Sequence, residues 1–231
     1  MGPSKGRPGD SDSDRPKRSI GSGVGRAAAS ARLQAVRIAL CHELVRAGRV
    51  MSRRGLAVAT EGNLSARLTS ERFIITREGR RTGELTTRDF VELGVMEVDD
   101  SPARAAASAE HRVHRAGYAA RPDVEAVLHA HPLALTAFAI RGAPPDFSRF
   151  DEARTLIGPV GFLGHVPSGS EALAEGVAHA LQGSGRPNLI LLRNHGVVAA
   201  GRSVDEALSR LEVAEHLAAT LLAAEGLRSG D

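Results

Sequence analysis

Lysine is nearly missing from this 231-residue chain: Lys5 and Lys17 are the only two, both within the first 26 residues. A Schiff-base nucleophile, a pyridoxal-phosphate anchor and a phosphate-loop lysine each need that side chain inside the fold. Those three mechanisms are therefore excluded, and carbonyl activation, if it occurs, falls to a metal or to hydrogen bonds. Cysteine is as scarce. Cys41 stands alone, so there is no intramolecular disulfide framework, and the usage fits a reducing cytoplasm. It lies in a helical pattern and reads as a small core residue. No apolar run approaches the roughly 18 residues of a membrane span, and the first residues lack the apolar stretch of a secretory leader.

A basic surplus on the folded part is lacking too, despite a sequence pI of 9.7. Residues 1–26 carry six basic side chains against Asp10, Asp12 and Asp14, a surplus equal to the formal +3 of the whole chain. From Ala27 onward 24 basic groups face 24 acidic ones. Nucleic-acid binding needs an excess on a folded surface, so no nucleic-acid partner is expected. Residues 1–26, rich in Gly, Ser, Pro and Asp, read as a disordered basic tail, and 27–231 as one domain, long enough for a sizeable core at 42% hydrophobic content.

Hydrophobic periodicity places the elements. Ala27 to about Ala47 reads as a helix, Leu64–Leu68 and Arg72–Thr76 as a hairpin turning at Thr69-Ser70-Glu71. Thr86–Glu92 opens like a capped helix, with Gly94–Val98 as a strand after it. Ala107–Ala119 is helical, Val124–Ala130 is a buried strand, and Pro132 suits the first turn of the next helix. Gly161–Val166 reads as a strand and Ser170–Leu181 as a helix. Strands at Asn188–Arg193 and Val197–Ala199 flank Asn194-His195-Gly196, and a helix from Ser203 to about Ala224 closes the chain. Strands mixed with helices, several as adjacent hairpins, predict an α/β layered domain with a mainly antiparallel sheet.

Two histidines end the apolar strand, His129-Ala130-His131. Alternate strand residues point to one side, so both imidazoles can reach one ion at about 2.0–2.1 Å. By itself a His-x-His pair is a modest signal. His195 ends a second apolar strand and is followed by Gly196, which permits close approach. It is either a third ligand of an open three-histidine site or a solvent-facing turn residue. Glu110 opens the helix before the His-x-His strand. It is either an acid in a first helical turn, favoured by the macrodipole, or a carboxylate beside a metal, able to ligate it or move a proton. His42, His111, His114, His179 and His216 fall on helices without paired ligand spacing and read as surface or packing residues.

Gly62-Asn63-Leu64-Ser65, Ser108-Ala109-Glu110, Val127-Leu128-His129-Ala130-His131-Pro132 and Asn194-His195-Gly196 come in an order and spacing that resembles the class II aldolases. That family holds zinc-dependent fuculose- and rhamnulose-phosphate aldolases, ribulose-phosphate epimerases, sugar-acid decarboxylases and the adducin head. The likeness runs from about Ala27 to Leu222. It implies a three-layer α/β/α fold and a homotetramer with sites at subunit boundaries. It also implies Zn2+ (or Mn2+, Fe2+ or Co2+) held by His129, His131 and His195, with Glu110 as a displaceable ligand and as acid/base. The chemistry implied is metal-assisted enolate formation in a small oxygenated substrate.

Against the phosphate cradle of the sugar-phosphate members, Gly62, Asn63, Gly79 and Ser108 remain as expected substrate-binding residues. Glu78 stands in place of a threonine, and Ala109 in place of a second serine. Arg77, Arg80 and Arg81 crowd the same segment, as a solvated loop or as a guanidinium clamp for a carboxylate. His165 falls where those aldolases often carry a tyrosine and is either a candidate catalytic residue in its stead or a fourth metal neighbour. Tyr118, the one tyrosine, follows Glu110 in its helix and reads as structural. The expected activity is a metal-dependent carbon–carbon lyase, retro-aldol or decarboxylase, with Glu78 and Ala109 favouring a carboxylated substrate. The alternatives are an epimerase or dehydratase of sugar phosphates, or a non-catalytic scaffold like the adducin head, which lacks the metal histidines.

Overall fold

The computed structural model describes residues 1–2, 21–96 and 102–228. The first half runs α1 (Gly21–Arg53), β1 (Asn63–Arg67), β2 (Arg72–Thr76), β3 (Phe90–Gly94), α2 (Pro102–Ala106), α3 (His111–Ala120) and β4 (Ala126–Ala130). The second runs α4 (Leu133–Arg141), α5 (Ala153–Leu156), β5 (Val160–Leu163), α6 (Glu171–Gln182), β6 (Leu189–Leu192), β7 (Gly196–Gly201) and α7 (Val204–Arg228). Most of the expected tail lies outside the described residues, and Gly21–Arg26 form the first turns of α1.

Among the described residues seven strands form one sheet in the order β3-β2-β1-β4-β7-β6-β5, with β5–β6 the one parallel pair. The strand sequences explain the layers. Side chains alternate between faces along a strand, and here both sets are apolar. Ile74, Leu128, Leu191 and Ala199 join a core with α1, α4 and α7. Phe73, Val127, Ile190 and Val198, each one residue away, join a second core with α3 and α6. A sheet apolar on both faces has to be covered on both, which gives the three-layer α/β/α architecture. Cys41 is fully buried in the first core, as expected.

Two expectations are corrected. Thr86–Glu92 does not open a helix: the Asp89 carboxylate accepts from the Thr86 amide at 2.9 Å and its hydroxyl at 2.7 Å, closing a turn. Buried Phe90, Val91 and Leu93 then pair with β2, so the strand is Phe90–Gly94 rather than Gly94–Val98, whose residues 97 and 98 lie outside the described ones. Ala107–Ala119 is not one helix either. Ala107 bridges Arg77 antiparallel, and the Ser108 amide donates to the Thr76 carbonyl at 3.1 Å, so this backbone is spent on the sheet and α3 starts anew after Glu110. That break is what delivers Glu110 to the end of β4.

Candidate metal centre

The register of three strands places the first ligand. On β4, His129 pairs with Asn63 of β1 on one side and Val198 of β7 on the other. Its Nδ1 lies 3.0 Å from the Val197 carbonyl oxygen, which only accepts, so Nδ1 carries a hydrogen and Nε2 is the nitrogen left to bind an ion. His131 follows the strand, with Nε2 at 2.9 Å from Nε2 of His129. His195 arrives from the bend between β6 and β7, where Asn194 takes a left-handed backbone (φ 57°), a conformation Asn tolerates better than most side chains. Gly196 is required here, because a Cβ would collide with the Ala130 carbonyl and the His131 ring. Gly62 is required for the same reason: its φ is +75° and a Cβ would stand 2.7 Å from the His129 carbonyl oxygen.

One ligand atom from each histidine lies within 4.8 Å of the others. Three imidazoles converging on one point are the donor set of a catalytic divalent ion, and the residues fit one. Burial holds the His131 pKa down to about 4 and lowers that of His195 as well. Both stay neutral, and competent to bind metal, at physiological pH.

Glu110 completes the set. Its Oε2 lies 2.9 Å from Nε2 of His129 and its Oε1 3.2 Å from Nε2 of His195. Asn63 Nδ2 donates to Oε2 at 3.2 Å and the Ser168 hydroxyl to Oε1 at 2.9 Å. Burial alone would raise the Glu110 pKa, but the His129 and His195 imidazoles and the Asn63 amide outweigh it and hold the carboxyl well below its ordinary range. It is an ionised carboxylate against the metal-ligand nitrogens: a fourth donor that substrate can displace, or a base.

A cavity of about 200 Å3 opens in front of this cluster, and Gly62, Asn63, Arg77, Gly79 and Ser108 all line it. The arginine clamp does not assemble. Arg80 pairs with Asp89 at 3.2 Å, Arg81 with Glu84 at 2.9 Å, and Arg77 Nε donates to the Arg88 carbonyl at 3.3 Å. Glu78 turns its carboxylate onto the Ala109 amide at 2.6 Å and so occupies a backbone donor at the cavity wall. His165 lies exposed after β5, its Nδ1 3.4 Å from the Arg193 carbonyl, outside the three-histidine cluster. Sequence reading missed Ser168, which precedes α6 with no motif to mark it. It also missed His114: expected as a packing residue, it is fully buried and hydrogen-bonds to Asn63. The spacing of four from Glu110 was the available signal. The other helical histidines meet expectation, with His42, His179 and His216 exposed and buried His111 packed against the Ser108 carbonyl.

Residues 42–222 match the family described as Class II Aldolase and Adducin N-terminal domain. The chain is 36% identical over 193 residues to a methylthioribulose-1-phosphate dehydratase of Gluconobacter oxydans, covering 79% of this chain and 91% of that one. It is 31% identical over 182 residues to a 5-methylthioribulose-1-phosphate/5-deoxyribulose-1-phosphate aldolase of Rhodospirillum rubrum, covering 79% and 80%. Among solved structures, L-fuculose-1-phosphate aldolase from Thermus thermophilus superposes with a TM-score of 0.72 at 28% identity, covering 83% of this chain and 97% of that one.

Proposed function

The chain belongs to the family of class II aldolases and adducin N-terminal domains, and we propose that it is a metal-dependent dehydratase of a ketose 1-phosphate of the methylthioribulose type. The observation that carries this reading is Glu110, one ionised carboxylate that spans His129 and His195 and lines the cavity. A divalent ion at the three histidines, zinc or else manganese, iron or cobalt, would supply positive charge for the oxygens beside the carbon that loses its proton. Glu110 takes that proton from the carbon next to the ketone. The hydroxyl on the following carbon leaves with a proton returned by the same carboxylate, so one water is lost and no second acid is needed. Asn63 and Ser168 hold the carboxylate in place for both transfers.

Retro-aldol cleavage of the same substrate is the second reading, favoured by the Rhodospirillum rubrum relative. It begins with a hydroxyl proton and ends with protonation of a carbon by a separate acid. The one tyrosine, Tyr118, is 1% exposed and faces away in the interior, so neither this chain nor a second copy supplies a tyrosine for that step. A carboxylic acid substrate, expected from Glu78 and Ala109, ranks below both, since the arginines meant to receive it have other partners. A non-catalytic scaffold ranks lowest, because the histidines and Glu110 converge. Assembly as a homotetramer belongs to the same proposal, and Leu133 (83% exposed) and Ile140 (62%) on α4 are apolar surface that assembly would cover.

Incubation of the metal-loaded protein with methylthioribulose 1-phosphate tests the reading by mass spectrometry. Dehydration gives a phosphorylated product lighter by one water. Dihydroxyacetone phosphate with an aldehyde would establish cleavage instead, and no reaction with any ketose phosphate would overturn both.

Glu78 yields a further expectation about affinity. A phosphate reaching the Ala109 amide must displace a carboxylate that repels it, so Glu78→Thr should lower KM for a ketose phosphate about tenfold, the equivalent of about 1.4 kcal/mol. An unchanged or higher KM would show that the phosphate sits elsewhere.

A further inference from the structure

Beside the metal cluster runs a row of buried polar groups whose far members, His114, Ser65 and Tyr118, no step of the reaction touches. Two periodicities create it. Glu110, His114 and Tyr118 recur every four residues along one face of α3, and Asn63 and Ser65 alternate onto one face of β1. Where helix and strand meet, the side chains interleave in the order Glu110, Asn63, His114, Ser65, Tyr118. All five are buried, His114 and Ser65 completely.

The direction of every hydrogen bond in this row follows from its first member. Ionised Glu110 only accepts, so the contact from Asn63 at 3.2 Å comes from its Nδ2. The Asn63 carbonyl oxygen therefore faces Nε2 of His114, and that nitrogen must carry the hydrogen. Nδ1 of the neutral ring is then an acceptor, and the Ser65 hydroxyl, 2.6 Å away, donates to it. The Tyr118 hydroxyl in turn donates to Ser65 at 2.7 Å. Burial keeps the ring neutral, with a pKa lowered to about 3.

We propose that His114 is a positioning residue for the reacting carboxylate, holding the Asn63 amide with its NH2 turned toward Glu110 and the cavity, while Ser65 and Tyr118 fix the tautomer that lets it do so. An amide in place of this one could rotate by half a turn with little change in shape, presenting a carbonyl oxygen to an ionised carboxylate. The ring prevents that, because its Nε2–H would then face an NH2 group. With the amide fixed, one N–H stays on Glu110. The inference rests on the functional reading only in taking Glu110 as the working carboxylate.

The chain contains three asparagines, Asn63, Asn188 and Asn194, so protein labelled with 15N-asparagine gives three side-chain amide signal pairs, and Asn63→Asp identifies one of them. Comparing His114→Gln with His114→Phe separates hydrogen bonding from packing. Glutamine retains a donor toward Asn63 and an acceptor toward Ser65, whereas phenylalanine retains only the ring shape. His114→Phe should shift or broaden the Asn63 pair and lower kcat on methylthioribulose 1-phosphate about tenfold, with KM and metal content within about twofold of wild type. His114→Gln should restore the Asn63 signals and bring kcat back to within about threefold. Should His114→Phe not fold, Ser65→Ala leaves the ring in place, removes its tautomer lock and should perturb the same signals. An unaltered Asn63 pair in His114→Phe or Ser65→Ala, or higher turnover with phenylalanine than with glutamine, overturns the proposal. The amide signals need no substrate, so they answer even if the protein turns out to act on a different compound.

Discussion

Replacing His129 and His131 together by alanine should reduce bound divalent metal from about one ion per chain to below about a tenth, and turnover by at least about 10³-fold. The reasoning is geometric. Nε2 of His129 is the best prepared of the three ligands, since its Nδ1–H is engaged by the Val197 carbonyl and its lone pair points into the cluster. His131 supplies the neighbouring nitrogen at 2.9 Å. Without them, His195 and Glu110 leave two protein donors, too few to retain a divalent ion against dilution. Elemental analysis after gel filtration measures the first effect and a product assay the second. Because His131 lies beyond the end of β4 and is only partly buried, the fold should survive, and circular dichroism checks that. Full metal content in the double variant would remove the site assignment altogether.

Glu110→Gln is expected to keep the fold and most of the metal while turnover falls at least about 10²-fold, the usual scale of a general acid/base. Glutamine is isosteric and still accepts from Asn63 or Ser168, so the hydrogen bonds around it are partly retained. What it lacks is a lone pair basic enough to take a proton from carbon. The low pKa of Glu110 without metal reflects the imidazoles beside it, and the substrate's displacement of that contact is what frees the carboxylate to act as a base. Exchange of the substrate's carbon-bound proton with deuterated solvent isolates this step from the loss of water. A variant with normal exchange and normal turnover would reduce Glu110 to a residue at the start of α3, the other role its position suggested.

Much of the fold was legible because both periodicities in the strands are strong. Phe73-Ile74-Ile75, Ala126-Val127-Leu128 and Leu189-Ile190-Leu191-Leu192 are apolar on both faces and so announce a covered sheet. The errors cluster where local capping chemistry has two outcomes. Thr86 and Asp89 are spaced for a helix cap but also for a turn, and only burial of Phe90 and Val91 against β2 chose the turn. Ala107 is a good helix former, yet pairing with Arg77 from a distant strand ended the helix. Both were decided by contacts between segments that no window of sequence contains.

The ligands divide in the same way. Composition alone removed lysine chemistry, and the spacing of His129 and His131 on a strand put two imidazoles on one side, since alternation is a property of the extended backbone. Which third histidine joins them, and whether Glu110 serves a helix end or a metal, depended on the approach of the β6–β7 bend and on the break before α3. Those distances are set by the packing of the sheet and its two helical layers, not by neighbours in the chain. His114 is the clearest case. Its place four residues after Glu110 was written in the sequence, but its meaning came only from β1, whose Asn63 and Ser65 meet it across the interior and give a buried imidazole both of its partners.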